Sequence, residues 1–387
     1  MTAQPAPAPA LPAPTPDDHL TPEQLHRALT LRDLTDPGQG EHAMQQLLCA
    51  VVDALRPAGD GTVRTVRTPP IVPVRDNYDR LGYAPDDVTR ARRYTRYLSP
   101  TTMLRSHTSA QLPAILEEYR GREGGGVDEL IVVPGLVYRR DAVDRSHVGE
   151  PHQVDLWRLR EDPGTSDADM LAMIDAVVEA VLPGARRRLT HATHPYTQGG
   201  RQIDVLLDGQ WLEIAECGRI HPAVLERSGL DPGRWSGLAL GMGLDRALML
   251  RKQIPDIRLL RARDPRILAQ MHDLAPWRPV SSQPAARRDL SVVLPAGEDE
   301  ETLGDRVRTA LGDDAELLES VSILSRTPAA QLPAAARERL GIGPEQENLL
   351  IRIVLRPLES TLWAAEANAL RNRVYRAVHE GPVLELI

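Results

Sequence analysis

The segment Gly135–Trp157, GLVYRRDAVDRSHVGEPHQVDLW, sets three arginines, two histidines and four acids between two apolar runs. A hairpin that only holds a sheet together alternates apolar and polar residues and turns on Gly or Asn-Gly. This one concentrates groups that grip phosphate, because a guanidinium fork holds phosphate oxygens in pairs and keeps its proton at every working pH.

The elements that must carry this hairpin are legible on either side of it. TPEQLHRAL and GEHAMQQLLCAVVDALRP have helical spacing, with Thr21 and Gln24 spaced as a capping box. ELIVVPGLVYR and QIDVLLDGQWLEIAEC read as strands, the second folded at its Asp-Gly, and DMLAMIDAVVEAVL and LDRALMLRKQ read as helices. An antiparallel sheet backed by helices is therefore expected, in a protein of the α+β class. After the Pro-rich joint APWRPVSSQP the order is strand, helix, strand, strand, helix, strand, the βαββαβ of ferredoxin-like domains. On the last helix Trp363, Ala367, Leu370, Val374 and Val378 share an apolar stripe, opposite Arg371, Arg373 and Arg376. The expected divisions are a disordered Pro/Ala-rich tail over 1–20, a helical segment over 21–67, a sheet domain over 68–277 and the ferredoxin-like domain over 278–387.

Composition narrows the class. A chain of 387 residues with net charge −8 has room for two domains, and two cysteines are too few for a disulfide framework or a Cys-built zinc site. No run has the length of a membrane span, and the opening lacks the marks of a signal or transit peptide; a reduced, cytoplasmic protein is expected. Lys252 is the only lysine and phenylalanine is absent. A GC-rich genome accounts for scarce lysine better than for missing Phe, since Ile recurs throughout.

VYRRDAVDRSHVGEPHQVD resembles motif 2 of the catalytic chain of phenylalanyl-tRNA synthetase, a class II aminoacyl-tRNA synthetase, and GLALGMGLDRALML resembles its motif 3. NYDRLGY with YLSPTTMLRSHTSAQ is similar to the stretch around the family's His-Thr-Ser signature, WLEIAECGRIHPAVL to the strand before motif 3, and the tail from Pro279 to the anticodon-binding ferredoxin fold. One chain holding both domains, without an editing module, is the layout of the organellar enzyme. The resemblance implies that Arg139 and Arg246 flank the phosphates of ATP, that Asp141 meets the adenine amino group, that His147 meets the outer phosphates and that Glu213 binds Mg²⁺. It assigns the amino acid to His107, Thr108, Ser109, Gln153, Asp155, Thr197 and Ala239, with His152 alongside, and tRNA to Arg371, Arg373 and Arg376. A buried ammonium needs a paired charge, which Asp155 supplies with a carboxylate one methylene shorter than the family's Glu.

Departures from the pattern cluster in the pocket. The family's two ring-stacking phenylalanines read His194 and Tyr196, Glu216 replaces a glycine, Pro151 stands where a phenylalanine covers adenine, and Gln111 comes one residue early. Tyr196 can still offer an aromatic edge, and Glu216 must face water or a cation such as His194 or the substrate. The implied activity is formation of an aminoacyl adenylate from ATP and transfer to tRNA, with phenylalanine or a more polar aromatic relative as substrate, by a monomer or homodimer needing no editing subunit. The alternatives are an adenylating ligase that does not use tRNA and a catalytically weakened regulatory paralogue. A chain free of Phe can moreover be translated when Phe-tRNA is scarce.

Overall fold

The computed structural model describes residue 15 and residues 19–91, 94–122, 124–139, 148–207, 209–262, 265–279, 283–357 and 360–382. Asp141, His147 and nearly all of the last expected strand, 383–387, lie outside the described residues. By its internal contacts the chain divides into one unit of 1–139, 150–253 and 271–276 and another of 140–149, 254–270 and 277–387.

In the first unit, α1 (Pro22–Leu29) begins with the reciprocal cap that its spacing predicts. The Gln24 amide donates to the Thr21 hydroxyl at 3.2 Å, and the Thr21 amide donates to the Gln24 side chain at 2.9 Å. Helix α2 (Ala43–Ala54) buries Met44, Leu47, Leu48 and Val51 as one stripe. The main sheet contains β1 (Thr62–Thr65), β2 (Asp128–Leu136), β3 (His152–Arg160), β4 (Arg187–His191), β5 (Thr197–Leu207), β6 (Gln210–Ile220) and β7 (Ser236–Gly243), in the order β1-β2-β3-β7-β6-β5-β4. All neighbours are antiparallel except β1 with β2. The segment expected to be helical thus also supplies an edge strand, whose four residues are too few for periodicity to show.

Helix α3 (Asp167–Val181) packs on α2 and β6, and α4 (Leu244–Lys252) packs on α2 and β3. On one face of the sheet Ile131, Val133, Trp157, Leu159 and Ala239 join Leu112, Leu116, Tyr119 and Trp235 in a buried cluster. The sole lysine ends α4. Lys252 is 1% exposed, and its ammonium donates to the Asp273 and Ala275 carbonyls, each at 2.7 Å, and to the Asp273 carboxylate at 3.1 Å.

The second unit contains β8 (Ala286–Pro295), α5 (Glu300–Leu311), β9 (Leu318–Pro328), β10 (Gln346–Leu355) and α6 (Ala364–Val378), with the antiparallel sheet order β8-β10-β9. A short helix not expected from the sequence, Ala334–Leu340, lies between β9 and β10. After α6 the chain turns to the edge of β8, where the Glu380 amide donates to the Val293 carbonyl at 2.9 Å. Ala367, Leu370, Val374 and Val378 are buried against Leu303, Val307 and Leu311. Trp363, expected on the same stripe, is 73% exposed. It precedes the helix as its N-cap, with extended backbone, and so falls off the helical spiral.

Candidate active site

Paired positions on neighbouring strands present their side chains on one face. Across β2, β3, β7, β6 and β5 such a row reads Val133, Asp155, Gly241, Glu216 and Gln202. Two residues along the strands on one side it reads Gly135, Gln153 and Gly243, and on the other Ile131, Trp157, Ala239 and Gly218. Gly241 therefore leaves open floor between two carboxylates. A Cβ there would meet nothing nearer than the Gln153 amide nitrogen at 3.5 Å, and one on Gly243 would meet nothing within 4 Å. Gly218 is different, because its Cβ would stand 2.8 Å from the Cβ of Thr197.

Asp155 is fully surrounded, at 1% exposure. Its carboxylate accepts from the hydroxyls of Thr108 at 2.6 Å and Ser109 at 2.8 Å and from the Trp157 indole at 3.1 Å. Burial raises its pKa against the pull of those donors and of Arg139. Three expected residues of the amino-acid site thus meet at one carboxylate. His107 follows Ser106 and stacks on Tyr83, with ring centroids 5.8 Å apart, while burial and then Arg139 push its pKa down to about 3, which keeps it neutral.

Arg139 stands three residues past the end of β2. Its Nε donates to the Ser106 carbonyl at 2.7 Å and Nη2 to the Gln153 side chain at 3.2 Å, which aims the guanidinium along the Gln153–Gly243 row. Two arginines that the sequence reading did not single out hold this geometry. Arg96 donates to the Arg139 carbonyl at 3.1 Å and pairs with Glu150 at 2.7 Å, so it grips the loop at both ends. Arg105 is buried, donates from Nε to the Leu136 carbonyl at 2.8 Å, and its own carbonyl accepts from the Tyr138 amide at 2.9 Å. Its Nη2 sits 2.3 Å from where a Gly135 Cβ would be, and Gly135 has φ +142°, so two constraints require glycine. The visible sign of Arg105 is an arginine immediately after an apolar strand, two residues before His107.

The opposite wall is aromatic. His194 stacks on Tyr196 at 5.2 Å, Tyr196 stacks on Trp157 at 6.1 Å, and Tyr83 tilts against Tyr196 at 6.2 Å. Glu216, partly exposed, pairs with His194, whose Nε2 bonds to its carboxylate, and that bond raises the His194 pKa. Gln111, buried at 6% exposure, has no hydrogen-bond partner for either amide atom among the described residues. Pro151 extends the hairpin, its carbonyl accepting from the Val137 amide at 2.9 Å.

The family described as tRNA synthetases class II core domain (F) matches residues 33–271, more than half of the sequence. The chain belongs to the class II tRNA synthetases. The phenylalanine–tRNA ligase alpha subunit of Prochlorococcus marinus (strain MIT 9313) is 35% identical over 243 residues, covering 62% of this chain and 69% of that subunit. The alpha subunit of Nostoc punctiforme is 36% identical over 194 residues, 50% of this chain and 56% of its own length. The probable mitochondrial phenylalanine–tRNA ligase of Drosophila melanogaster is 27% identical over 366 residues, 80% of this chain and 75% of that one.

In this synthetase Arg246 lies on the first turn of α4, three residues past Gly243, and donates from Nη1 to the Glu213 carbonyl at 3.5 Å. The arginine-bearing segments of motifs 2 and 3 thus end at the same pair of strands. A buried tie fixes them. The carboxylate of Asp245 accepts from the backbone amide of His152 and, at 3.0 Å, pairs with its Nδ1, while Nε2 accepts from the Leu34 amide at 3.0 Å. Both ring nitrogens of His152 are committed to the fold, which leaves it no hand for the amino acid. Among the described residues no three His, Cys, Asp or Glu side chains are grouped to hold a metal. Mg²⁺ needs only one or two protein oxygens, and Glu213, an exposed carboxylate on β6, can offer them.

In the second unit Arg371 donates to Asn372 at 2.9 and 3.0 Å, and Arg373 pairs with Asp314 and donates to the Leu311 carbonyl at 2.7 Å. Arg376 is exposed. Arg373, Arg376 and Trp363 line a groove of 1020 Å³. No helix among the described residues is long and apolar enough to cross a membrane.

Proposed function

We propose that this synthetase activates an amino acid with ATP and transfers it to tRNA, in the manner of the phenylalanine–tRNA ligases it resembles. The observation that carries the reading is the row of Asp155, Gly241 and Glu216, beside which Gln153, bonded to Arg139, pairs with Gly243, three residues before Arg246. Asp155 receives the ammonium, since its carboxylate has hydrogen-bond donors but no direct cationic contact among the described residues. A substrate carboxylate oxygen attacks the α-phosphorus of ATP, the bond to the bridging oxygen breaks, and pyrophosphate leaves. Negative charge spreads over the phosphate oxygens in that step, and Arg139 and Arg246 offset it without having to move. Glu213 would hold Mg²⁺, which would offset charge on the phosphates. Asp141 and His147 keep their assignments to adenine and the outer phosphates. Pro151 stands where an aromatic ring usually covers the base, and its small saturated ring stacks less well, which weakens ATP binding.

The second half-reaction is attack of a tRNA terminal hydroxyl on the carbonyl carbon, with AMP leaving. Arg376 and the neighbouring Trp363 are the groups of the second unit best placed for RNA, because Arg371 and Arg373 are engaged by protein. The chain acts in the cytosol, as a monomer or homodimer without an editing subunit.

The test is amino-acid-dependent exchange of pyrophosphate into ATP, followed by charging of total tRNA. Exchange with charging supports the whole reading, and exchange without charging leaves a tRNA-independent ligase. Absence of exchange with every amino acid refutes the reading.

A further inference from the structure

We propose that the His194–Glu216 pair determines specificity and selects an amino acid whose aromatic side chain carries a hydrogen-bond donor. This deepens the activation reading and rests on it. The two carboxylates beside Gly241 are in opposite states. Asp155 has three donors from the protein and is closed to solvent. Glu216 has one, from His194 to a single oxygen, and its other oxygen has no partner among the described residues. The pair stays open to the cleft, with side-chain exposures of 29% for His194 and 31% for Glu216.

The surroundings define the rest of the ligand. Tyr83 and Tyr196 are partly exposed and offer aromatic surface to another ring, with Trp157 buried behind Tyr196. Ala239 and Gly218 keep the floor beside Trp157 shallow, and Thr197 borders it. A hydrocarbon ring seated there covers the free oxygen of Glu216 and gives it nothing, which leaves a carboxylate short of a hydrogen bond. A ring bearing a hydroxyl or amino group donates to that oxygen, while His194 holds the carboxylate in place by its other oxygen. A site built to meet a polar substituent discriminates strongly against the analogue without it. Since the pair is about one-third exposed, water takes up part of that difference, and a preference of about tenfold or more is expected.

The experiment measures kcat/KM in pyrophosphate exchange with phenylalanine, tyrosine and 4-aminophenylalanine. The natural protein is compared with Glu216→Gln and with the double variant His194→Phe, Glu216→Gly. The natural protein is expected to favour at least one donor-bearing substrate over phenylalanine by about tenfold or more, and the double variant to reverse that ratio. Should the double variant fail to fold, Glu216→Gln decides, with the ratio falling at least about fivefold. A natural protein that prefers phenylalanine, or a ratio that none of the changes moves, overturns the proposal. Exchange with no amino acid at all defeats the activation reading instead, so the two failures are distinguishable.

Discussion

Replacing Asp155 by Asn separates charge from shape at the centre of the site. Ser109 and Trp157 both donate to Oδ1, at 2.8 and 3.1 Å, and Thr108 alone donates to Oδ2, at 2.6 Å. An Asn oxygen in the Oδ1 place keeps the first two bonds. Its NH₂ then faces Thr108, whose hydroxyl turns to accept, so the side chain keeps three hydrogen bonds while the Thr108 O–H gives up its acceptor. Removing a buried charge while keeping those three bonds leaves stability unchanged or raised. The ammonium of the substrate does lose its ionic partner. A charge-assisted hydrogen bond contributes about 1.5–3 kcal/mol, which corresponds to a rise of about tenfold to 150-fold in KM for the amino acid. Pyrophosphate exchange reads this directly when the amino acid is titrated at saturating ATP and ATP is titrated at saturating amino acid. The expected result is a large rise in KM for the amino acid, with KM for ATP and the melting temperature nearly unchanged. An unchanged KM for the amino acid, an equal rise for ATP, or a large fall in melting temperature refutes the assignment of Asp155 to the ammonium.

Two glycines of β7 give a matched contrast: Gly237→Ala puts a Cβ 2.1 Å from the Arg158 carbonyl oxygen and lowers the melting temperature sharply, whereas Gly241→Ala meets only an ordinary contact and impairs exchange without unfolding the protein. Equal melting temperatures for the two variants contradict this reading of the floor. The His194 pKa is raised by Glu216, with Asp155 and Glu213 adding to the pull, so the contribution of the pair to stability is complete below about pH 6.5 and fades as pH climbs through the folded-state value. The melting-temperature gap between the natural protein and Glu216→Gln is therefore expected to be widest near pH 6 and to shrink as pH rises, reflecting about 1 kcal/mol or less; a gap that does not change with pH counts against the pair. Arg376→Ala is expected to raise KM for tRNA in charging while leaving exchange untouched, and a change in exchange would place Arg376 elsewhere in the mechanism.

Much of this was legible because local rules act through neighbours in sequence. Thr21 and Gln24 cap each other, and the two apolar runs pair as β5 and β6, with Gly209 between them at φ +78°. The alternation of GLALGMG and HQVDLW brings Asp155 and Gly241 to one face. What stayed hidden depends on partners far along the chain. Arg96 and Arg105 look like surface arginines until the loop ends and the Leu136 carbonyl arrive beside them, and His152 looks like a ligand-binding histidine until Asp245, ninety-three positions away, takes its ring. Trp363 fits an apolar stripe by spacing, and only the start of the helix at Ala364 removes it.

The interior seat of Lys252 bears on the chemistry proposed for the cleft. An aminoacyl adenylate is a mixed anhydride, and any that escapes acylates the first neutral amine it meets. The only side-chain amine in the sequence is buried at the end of α4 and donates to carbonyl and carboxylate oxygens. Leaked intermediate therefore finds no exposed lysine on its own maker.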